Sequence, residues 1–135
     1  MPPLVLCSLL YFFGRRREAI LILIALMVGD LITLFFKVVV PRPRPFMLLP
    51  VIQLEDTSGP GFPSGHSVTS FALATVISRR LPSYRFYGYG LAIIVAVGRV
   101  YLGVHFPFDV VVGSILGWCS GFFIVRLDTY LSKIR

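Results

Sequence analysis

The sequence predicts an all-α protein: an integral membrane helical bundle of four full transmembrane helices preceded by a short N-terminal helix, in a single domain of residues 1–135. Apolar residues make up 56% of the chain, where an ordinary globular domain has roughly 45–50%. Charged residues make up only 14% of the chain, whereas an ordinary globular domain has about 25%. Together with a mean hydropathy of +0.85, these values exclude a disordered chain and argue against a soluble domain, which needs more polar residues to cover its surface.

The first two apolar segments differ in length. Leu4–Phe13 would form a helix of about 15 Å, half of the ~30 Å hydrocarbon core, so it cannot cross a membrane alone. Ala19–Val40 is long enough to cross with some tilt. The proline-rich stretch at residues 41–45 ends this segment, because proline cannot continue a helix.

Three further apolar segments follow a loop that runs to Pro63. The third, about Ser64–Ser78, begins at a residue typical of a helix N-cap, and its many small side chains favour a position inside a bundle. The fourth is about Phe86–Gly103. The fifth, about Pro107–Val125, contains a pair of glycines spaced to allow close packing against a neighbouring helix.

The basic residues fall unevenly on the two sides of this predicted bundle. If each long segment crosses once, nine lie on one side and four on the other. The side with nine is expected to be cytoplasmic, because cytoplasmic loops of membrane proteins carry an excess of Lys and Arg. The four on the other side need a different explanation, and an anion-binding site provides one. They are Lys37, Arg42, Arg44 and Arg99.

The same side carries groups suited to phosphate chemistry. Two predicted helices begin there, and the free N–H groups at a helix start favour anions. Arginine side chains match phosphate oxygens, so phosphate or diphosphate is the expected ligand. His105 and Asp109 are spaced to share a helix face, where the carboxylate would orient the imidazole. This arrangement suits His105 as a nucleophile toward phosphorus, with His66 protonating the leaving oxygen.

Three motifs carry a resemblance to a known family. In chain order they are Lys37-x6-Arg44-Pro45, Pro63-Ser64-Gly65-His66 and Arg99-x5-His105-x3-Asp109. Each is weak alone. In this order and at this spacing they resemble the signature of the type 2 phosphatidic acid phosphatases, a superfamily of membrane lipid phosphate phosphatases that also contains vanadium haloperoxidases.

The resemblance implies a helical bundle whose site needs no metal ion or other cofactor. It implies that His105 forms a phosphohistidine intermediate, that Asp109 orients His105, and that His66 is the general acid. The residues it implies for holding the phosphate are Lys37, Arg44, Ser64, Gly65 and Arg99.

Two features depart from the family pattern. Gly98 stands where the family often has serine, which removes one hydroxyl contact to phosphate. Membrane members of the family usually have six spanning helices. We therefore expect Leu4–Phe13 to be the end of the second family helix, and the first family helix to be missing from this sequence.

The remaining charged residues receive weaker interpretations. Arg42 is left open between a site residue and a loop residue. Asp30 lies inside an apolar segment, where an ionisable group is costly, and we expect it to make a structural hydrogen bond inside the bundle. Glu55 and Asp56 are interpreted as loop charges.

Together these features predict metal-independent hydrolysis of a lipid phosphate or diphosphate at the non-cytoplasmic face of the cell membrane. Polyprenyl diphosphate and phosphatidic acid are substrates that the resemblance suggests. One alternative is a non-catalytic protein that binds or transports lipid phosphates, although binding alone does not require the two histidines and Asp109. Another is vanadate-dependent halide oxidation, against which the membrane composition argues. The expected partners are the lipid substrate and the bilayer, and no nucleic acid.

Overall fold

The computed structural model describes residues 2–134, with side chains described from Val5 onward. The described residues form α-helices and one 3₁₀ turn at Pro82–Tyr84. The all-α prediction is therefore confirmed. The helices are α1 (Pro2–Phe12), α2 (Arg16–Val39), α3 (Pro45–Leu48), α4 (Gly65–Arg80), α5 (Arg85–Tyr101) and α6 (Pro107–Ile134).

Most helix bounds lie within three residues of the sequence prediction, and two larger differences occur. The last helix, α6, continues past Val125 to Ile134, because no glycine or proline follows Gly121 to interrupt it. The short helix α3 lies in a stretch predicted to be loop. Pro45 explains it, since the fixed φ angle of proline suits the first position of a helix.

Two of the described helices are long and apolar enough to cross a membrane, namely α2 with 24 residues and α6 with 28. α4 and α5 have 16 and 17 residues, or about 24–26 Å of helix against a hydrocarbon core of ~30 Å. Length therefore supports two of the four predicted full transmembrane helices, and four crossings remain a prediction.

α4 lies at the centre of the bundle and packs against α2, α5 and α6. Its contact with α6 depends on glycine: a Cβ atom at Gly117 would overlap the Val68 carbonyl oxygen, and one at Gly113 would lie 2.7 Å from the Ser64 carbonyl oxygen. The predicted pair of small residues therefore lets the two backbones touch. This close approach sets the first turns of α4 and α6 side by side, and the Ser64 N–H donates to the Asp109 carbonyl oxygen over 3.0 Å.

The opposite end of the bundle is closed by one carboxylate and by apolar packing. Asp128 on α6 accepts hydrogen bonds from Arg17 on α2 and from Arg80 at the end of α4. Beside it, helices α1, α2, α4 and α6 contribute to the apolar core, which includes Cys7, Ile22, Val76 and Ile124. Helices α2, α4 and α6 are therefore held together at this end. The loops at the other end form the candidate site.

Candidate active site

The residues of the three motifs converge where α2 and α5 end and where α4 and α6 begin. A loop between α3 and α4, residues 49–63, covers this end and is called the covering loop below. Within the described residues, no cluster of three or more His, Cys, Asp or Glu side chains is placed to hold a metal ion. The positive charge here comes from side chains. Both His66 and His105 interact electrostatically with the same three, Lys37, Arg44 and Arg99.

His105 lies in the turn between α5 and α6 and is only 4% exposed. Its Nδ1 lies 2.7 Å from the Gly61 carbonyl oxygen, which can only accept a hydrogen bond, so Nδ1 carries the proton. Nε2 keeps its lone pair and lies 3.4 Å from Arg44 Nη1. Burial, and next to it the charge of Arg44, lowers the pKa of His105 to about 4. The ring is therefore neutral at pH 7, with Nε2 unprotonated.

Asp109 is completely buried in the first turn of α6. Its carboxylate accepts from the Phe106 N–H and from Arg42 Nη1, each over 2.9 Å. Its Oδ2 lies 3.9 Å from His105 Nδ1, beyond hydrogen-bond distance but close enough to attract a charged ring. When His105 is neutral, the hydrogen bond that orients its ring is therefore the one that Nδ1 donates to the Gly61 carbonyl oxygen. Asp109 instead fixes the turn that carries His105, because it accepts from the Phe106 N–H.

Arg42, which the sequence left open, is part of this end of the bundle. Besides pairing with Asp109, its guanidinium lies over the Phe106 ring, 4.8 Å from the centroid, which is within cation–π range. A buried carboxylate needs a partner, and Arg42 was the basic residue on this side without a motif position. Those two facts together could have identified Arg42 as the partner of Asp109.

Arg44 and Lys37 hold the covering loop by its carbonyl oxygens. Lys37 Nζ donates to the Pro60 carbonyl oxygen over 2.9 Å. The Arg44 side chain is buried, with only 3% of its surface exposed. Both cations therefore shape the covering loop as well as supply charge to the site. The carbonyl oxygens nearest the Arg44 guanidinium belong to Gly59, Val104 and Ser58, at 2.9, 3.0 and 3.2 Å.

Arg99, in the last turn of α5, is bound by an acidic residue of the covering loop. Its Nη1 and Nη2 donate to the two carboxylate oxygens of Glu55 over 2.6 and 2.8 Å. The hydrogen bonds from Arg99 lower the pKa of Glu55, which keeps this carboxylate ionised at neutral pH. Sequence reasoning placed Glu55 in the loop but missed this pairing. An acidic residue between two cationic motifs is the signal that could have suggested it.

The second motif forms the start of α4. Ser64 is completely buried, and its hydroxyl accepts from Ser67 Oγ over 3.1 Å instead of capping the helix. Gly65 is the first residue of α4, and the exposed side chain of His66 follows it on the wall of a groove. His66 is therefore the side chain of this motif that is open to a ligand, whereas Ser64 serves the contact between α4 and α6.

The groove has a volume of about 900 Å³ and runs from His66 along α2, α4 and α5. Its walls are mainly apolar and include Leu26, Leu73 and Leu91. Asp30 also lines it. The hydrogen bond expected for Asp30 inside the bundle is absent among the described residues, because its side chain faces this groove. One polar end and a long apolar wall suit an amphiphilic ligand.

Similar proteins carry related sequences over most of this chain. Residues 6–133 match the sequence model of the PAP2 superfamily. The chain is 30% identical over 128 residues to an undecaprenyl-diphosphatase of Sulfolobus acidocaldarius, covering 93% of this chain and 62% of that protein. It is 30% identical over 138 residues to phosphatidylglycerophosphatase B of Bacillus subtilis, covering 93% of this chain and 66% of that protein. The chain thus spans less than two thirds of the length of either relative.

Two solved structures share this arrangement of helices. The crystal structure of Aquifex aeolicus LpxE superimposes with a TM-score of 0.84 at 29% identity, over 91% of this chain and 75% of that one. A transmembrane PAP2 type phosphatidylglycerolphosphate phosphatase from Bacillus subtilis gives a TM-score of 0.80 at 25% identity, over 98% and 70%. These matches confirm the resemblance carried by the three motifs, and the chain belongs to the PAP2 superfamily.

Proposed function

We propose that this protein is a phosphatase that hydrolyses a lipid phosphate or diphosphate through a phosphohistidine on His105. The state of His105 carries the proposal: a buried, neutral imidazole whose Nδ1–H is bound by Gly61, in a cluster of cationic side chains. Such an imidazole is suited to attack an anionic phosphate, because its unprotonated Nε2 accepts only one long hydrogen bond, of 3.4 Å from Arg44 Nη1, and this bond is given up when Arg44 binds the phosphate.

The first step transfers the phosphoryl group to His105. Nε2 attacks phosphorus, and a P–N bond forms as the P–O bond to the lipid breaks. The electron pair of that bond goes to the lipid oxygen, which takes a proton from His66, and this step requires that His66 be protonated while the anionic phosphate is bound beside it. The cations stabilise the charge on the phosphoryl oxygens. Asp109, 3.9 Å from Nδ1, stabilises the positive charge that the ring acquires.

The second step releases inorganic phosphate. His66, now neutral, takes a proton from a water molecule that attacks phosphorus. The P–N bond breaks, and its electron pair returns to Nε2 of His105. Both histidines are then back in their starting protonation states, so the cycle needs no metal ion or other cofactor.

The surface of the bundle supports a membrane location. Large apolar side chains are exposed on α2 and α5, among them Leu31, Phe35, Leu91 and Ile94. Apolar surface of this extent is typical of a protein embedded in lipid. We infer that α2, α4, α5 and α6 all cross, with local thinning of the bilayer around the two shorter helices. The distribution of basic residues then puts the site on the non-cytoplasmic side.

The groove supports a lipid substrate. Its apolar wall would take the hydrocarbon chain while its polar end brings the phosphate to His66 and His105. The relatives described above are named for undecaprenyl diphosphate and for phosphatidylglycerophosphate. A polyprenyl diphosphate and a phosphatidyl monophosphate are therefore the first substrates to test.

The test is phosphate release by the purified protein in detergent, with EDTA present, from a panel of lipid monophosphates and diphosphates. We expect release in EDTA, and a loss on the order of 10³-fold or more in His105→Ala, as for other catalytic nucleophiles. Thr129→Ala is the matched control. It removes a hydroxyl that bonds the Val125 carbonyl oxygen at the other end of α6, and it should retain full activity.

Trapping experiments separate the mechanisms. A radiolabelled substrate should leave an acid-labile label on the wild-type protein and none on His105→Ala. Release that His105→Ala leaves intact would contradict the proposed mechanism. Binding of lipid phosphates without release from any of them would favour the non-catalytic binding protein, and oxidation of bromide with added vanadate would favour a haloperoxidase.

A further inference from the structure

Glu55 binds Arg99 in the way that a phosphate group would. The two parallel hydrogen bonds, of 2.6 and 2.8 Å, use the same pair of guanidinium N–H groups with which arginine binds phosphate. The Arg99 side chain is 8% exposed and that of Glu55 is 38% exposed. The arginine is therefore a buried part of the site, and the carboxylate reaches it from the outer side.

The covering loop holds Glu55 in this position. The Leu54 N–H donates to the Leu102 carbonyl oxygen over 3.3 Å, so the loop lies on the turn that follows α5. Gly103 in that turn has a φ of +70°, and a Cβ atom there would lie 2.8 Å from the Ile52 carbonyl oxygen. This close approach of two backbones places Glu55 above Arg99 and not free in solvent.

Glu55 does not satisfy Arg99 completely. Arg99 Nε is buried and has no hydrogen-bond partner among the described residues. The two oxygens of Glu55 lie on Nη1 and Nη2, and neither reaches Nε, whereas a phosphate on the neighbouring edge of the guanidinium would bind Nε together with Nη2. A phosphate bound at Arg99 can therefore satisfy a donor that Glu55 leaves unpaired, which favours displacement of the carboxylate.

We propose that Glu55 competes with the phosphate group of the substrate for Arg99 and thereby sets the affinity of the site for phosphate. This inference rests on the proposed function, in which Arg99 binds phosphate. Substrate binds by displacing the carboxylate, because two anions on adjacent edges of one guanidinium repel each other. After hydrolysis the carboxylate returns to Arg99 and weakens the binding of the inorganic phosphate product.

The experiment measures the Kd of inorganic phosphate by ³¹P NMR for the wild type, Glu55→Gln and Glu55→Ala in detergent. We expect both variants to lower Kd on the order of tenfold, the change that follows if Glu55 occupies Arg99 in about nine tenths of the free molecules. Asp56→Asn is the matched control, since it removes the same charge from the exposed neighbouring residue. Its Kd should stay within about twofold of wild type, because salt screens an exposed charge.

Each outcome decides the inference. If Kd is unchanged or higher in both Glu55 variants while they remain folded and hydrolysis is intact, the inference is wrong and the proposed function stands. An equal decrease in Asp56→Asn would also contradict it, because the effect would then be general charge and not competition at Arg99. If the wild type neither binds phosphate nor hydrolyses any lipid phosphate, the proposed function and this inference fail together.

Discussion

The reactivity of His105 depends on one backbone carbonyl. The Gly61 carbonyl oxygen accepts a hydrogen bond of 2.7 Å from Nδ1, and this holds the ring with Nε2 facing Arg44. Asp109 lies 3.9 Å from the same nitrogen and becomes important when the ring is positively charged. In the proposed mechanism the two acceptors thus act at different stages: Gly61 on the neutral nucleophile, Asp109 on the cationic intermediate.

The titration of His105 tests this arrangement of its ring. Burial and the charge of Arg44 lower its pKa to about 4, so its ring signals in NMR should shift only as the pH falls toward that value. The chain has two histidines, so His66→Asn leaves one ring to observe. A titration of His105 near pH 6.5, the ordinary value for histidine, would contradict this geometry.

The lowered pKa of His105 also makes the stability of the folded protein depend on pH. Between pH 6.5 and about 4 the unfolded chain binds a proton at His105 that the folded chain does not bind. The free energy of unfolding therefore decreases as the pH falls through this range. The melting temperature of the wild type should decrease more between pH 7 and pH 5 than that of His105→Asn, whose side chain does not titrate. Equal decreases in the two proteins would contradict the assignment.

At the scale of helices, the contact between α4 and α6 positions the site. Gly113 and Gly117 let the two backbones touch, and the contact ends where Ser64 N–H meets the Asp109 carbonyl oxygen. The start of α4, which carries His66, is therefore tied to the start of α6, which carries Asp109. A change in the distance between these helices would move the proposed general acid, His66, relative to the proposed nucleophile, His105.

Substitution of Gly117 tests this contact. Gly117→Ala should lower the melting temperature in detergent, because its Cβ would overlap the Val68 carbonyl oxygen and overpacking costs about 1–3 kcal/mol. Gly90→Ala on α5 is the matched control. A Cβ there meets nothing within 4 Å, so alanine should stabilise the helix by up to about 1 kcal/mol. If both variants raised the melting temperature equally, the close contact would not exist.

For the bundle as one body, charge and apolar surface together are the basis of the orientation that we propose. The end that carries Asp128 and its arginines is closed by ion pairs, and the other end carries the site cations. The excess of basic residues at the first end is the reason for which we propose that it is the cytoplasmic one. This assignment depends on the proposed crossing by the shorter helices α4 and α5, because the basic residues divide between the two sides in this way only if each long segment crosses once.

Cysteine labelling tests the orientation. With Cys7 and Cys119 replaced by serine, Asp56→Cys on the covering loop and Ser83→Cys between α4 and α5 each provide one exposed thiol. A membrane-impermeant maleimide added to intact cells should label Asp56→Cys and not Ser83→Cys. Labelling of both to the same extent would show that α4 does not cross. The variant with both cysteines replaced and none introduced is the control for background.

The amino-acid sequence alone predicts the helices, the small residues of α6, and the grouping of cations and histidines at one end of the bundle. These follow from local features: apolar length, proline and glycine positions, and motif spacing. It also determined the family, since three motifs in order are specific even when each is weak alone. Gly98, where the family often has serine, meets nothing within 4 Å, so the structure leaves room for that side chain.

The partner that each charged group takes is known only from the folded chain. Arg99 binds Glu55, 44 residues away along the chain, and Arg42 binds Asp109, 67 residues away. His105 is held by a carbonyl oxygen of the covering loop, 44 residues away. Such pairings depend on how a loop folds over the ends of packed helices, and no periodicity in the sequence records that. A buried charge takes the partner that the packing brings near, because an unpaired charge is costly once water is excluded.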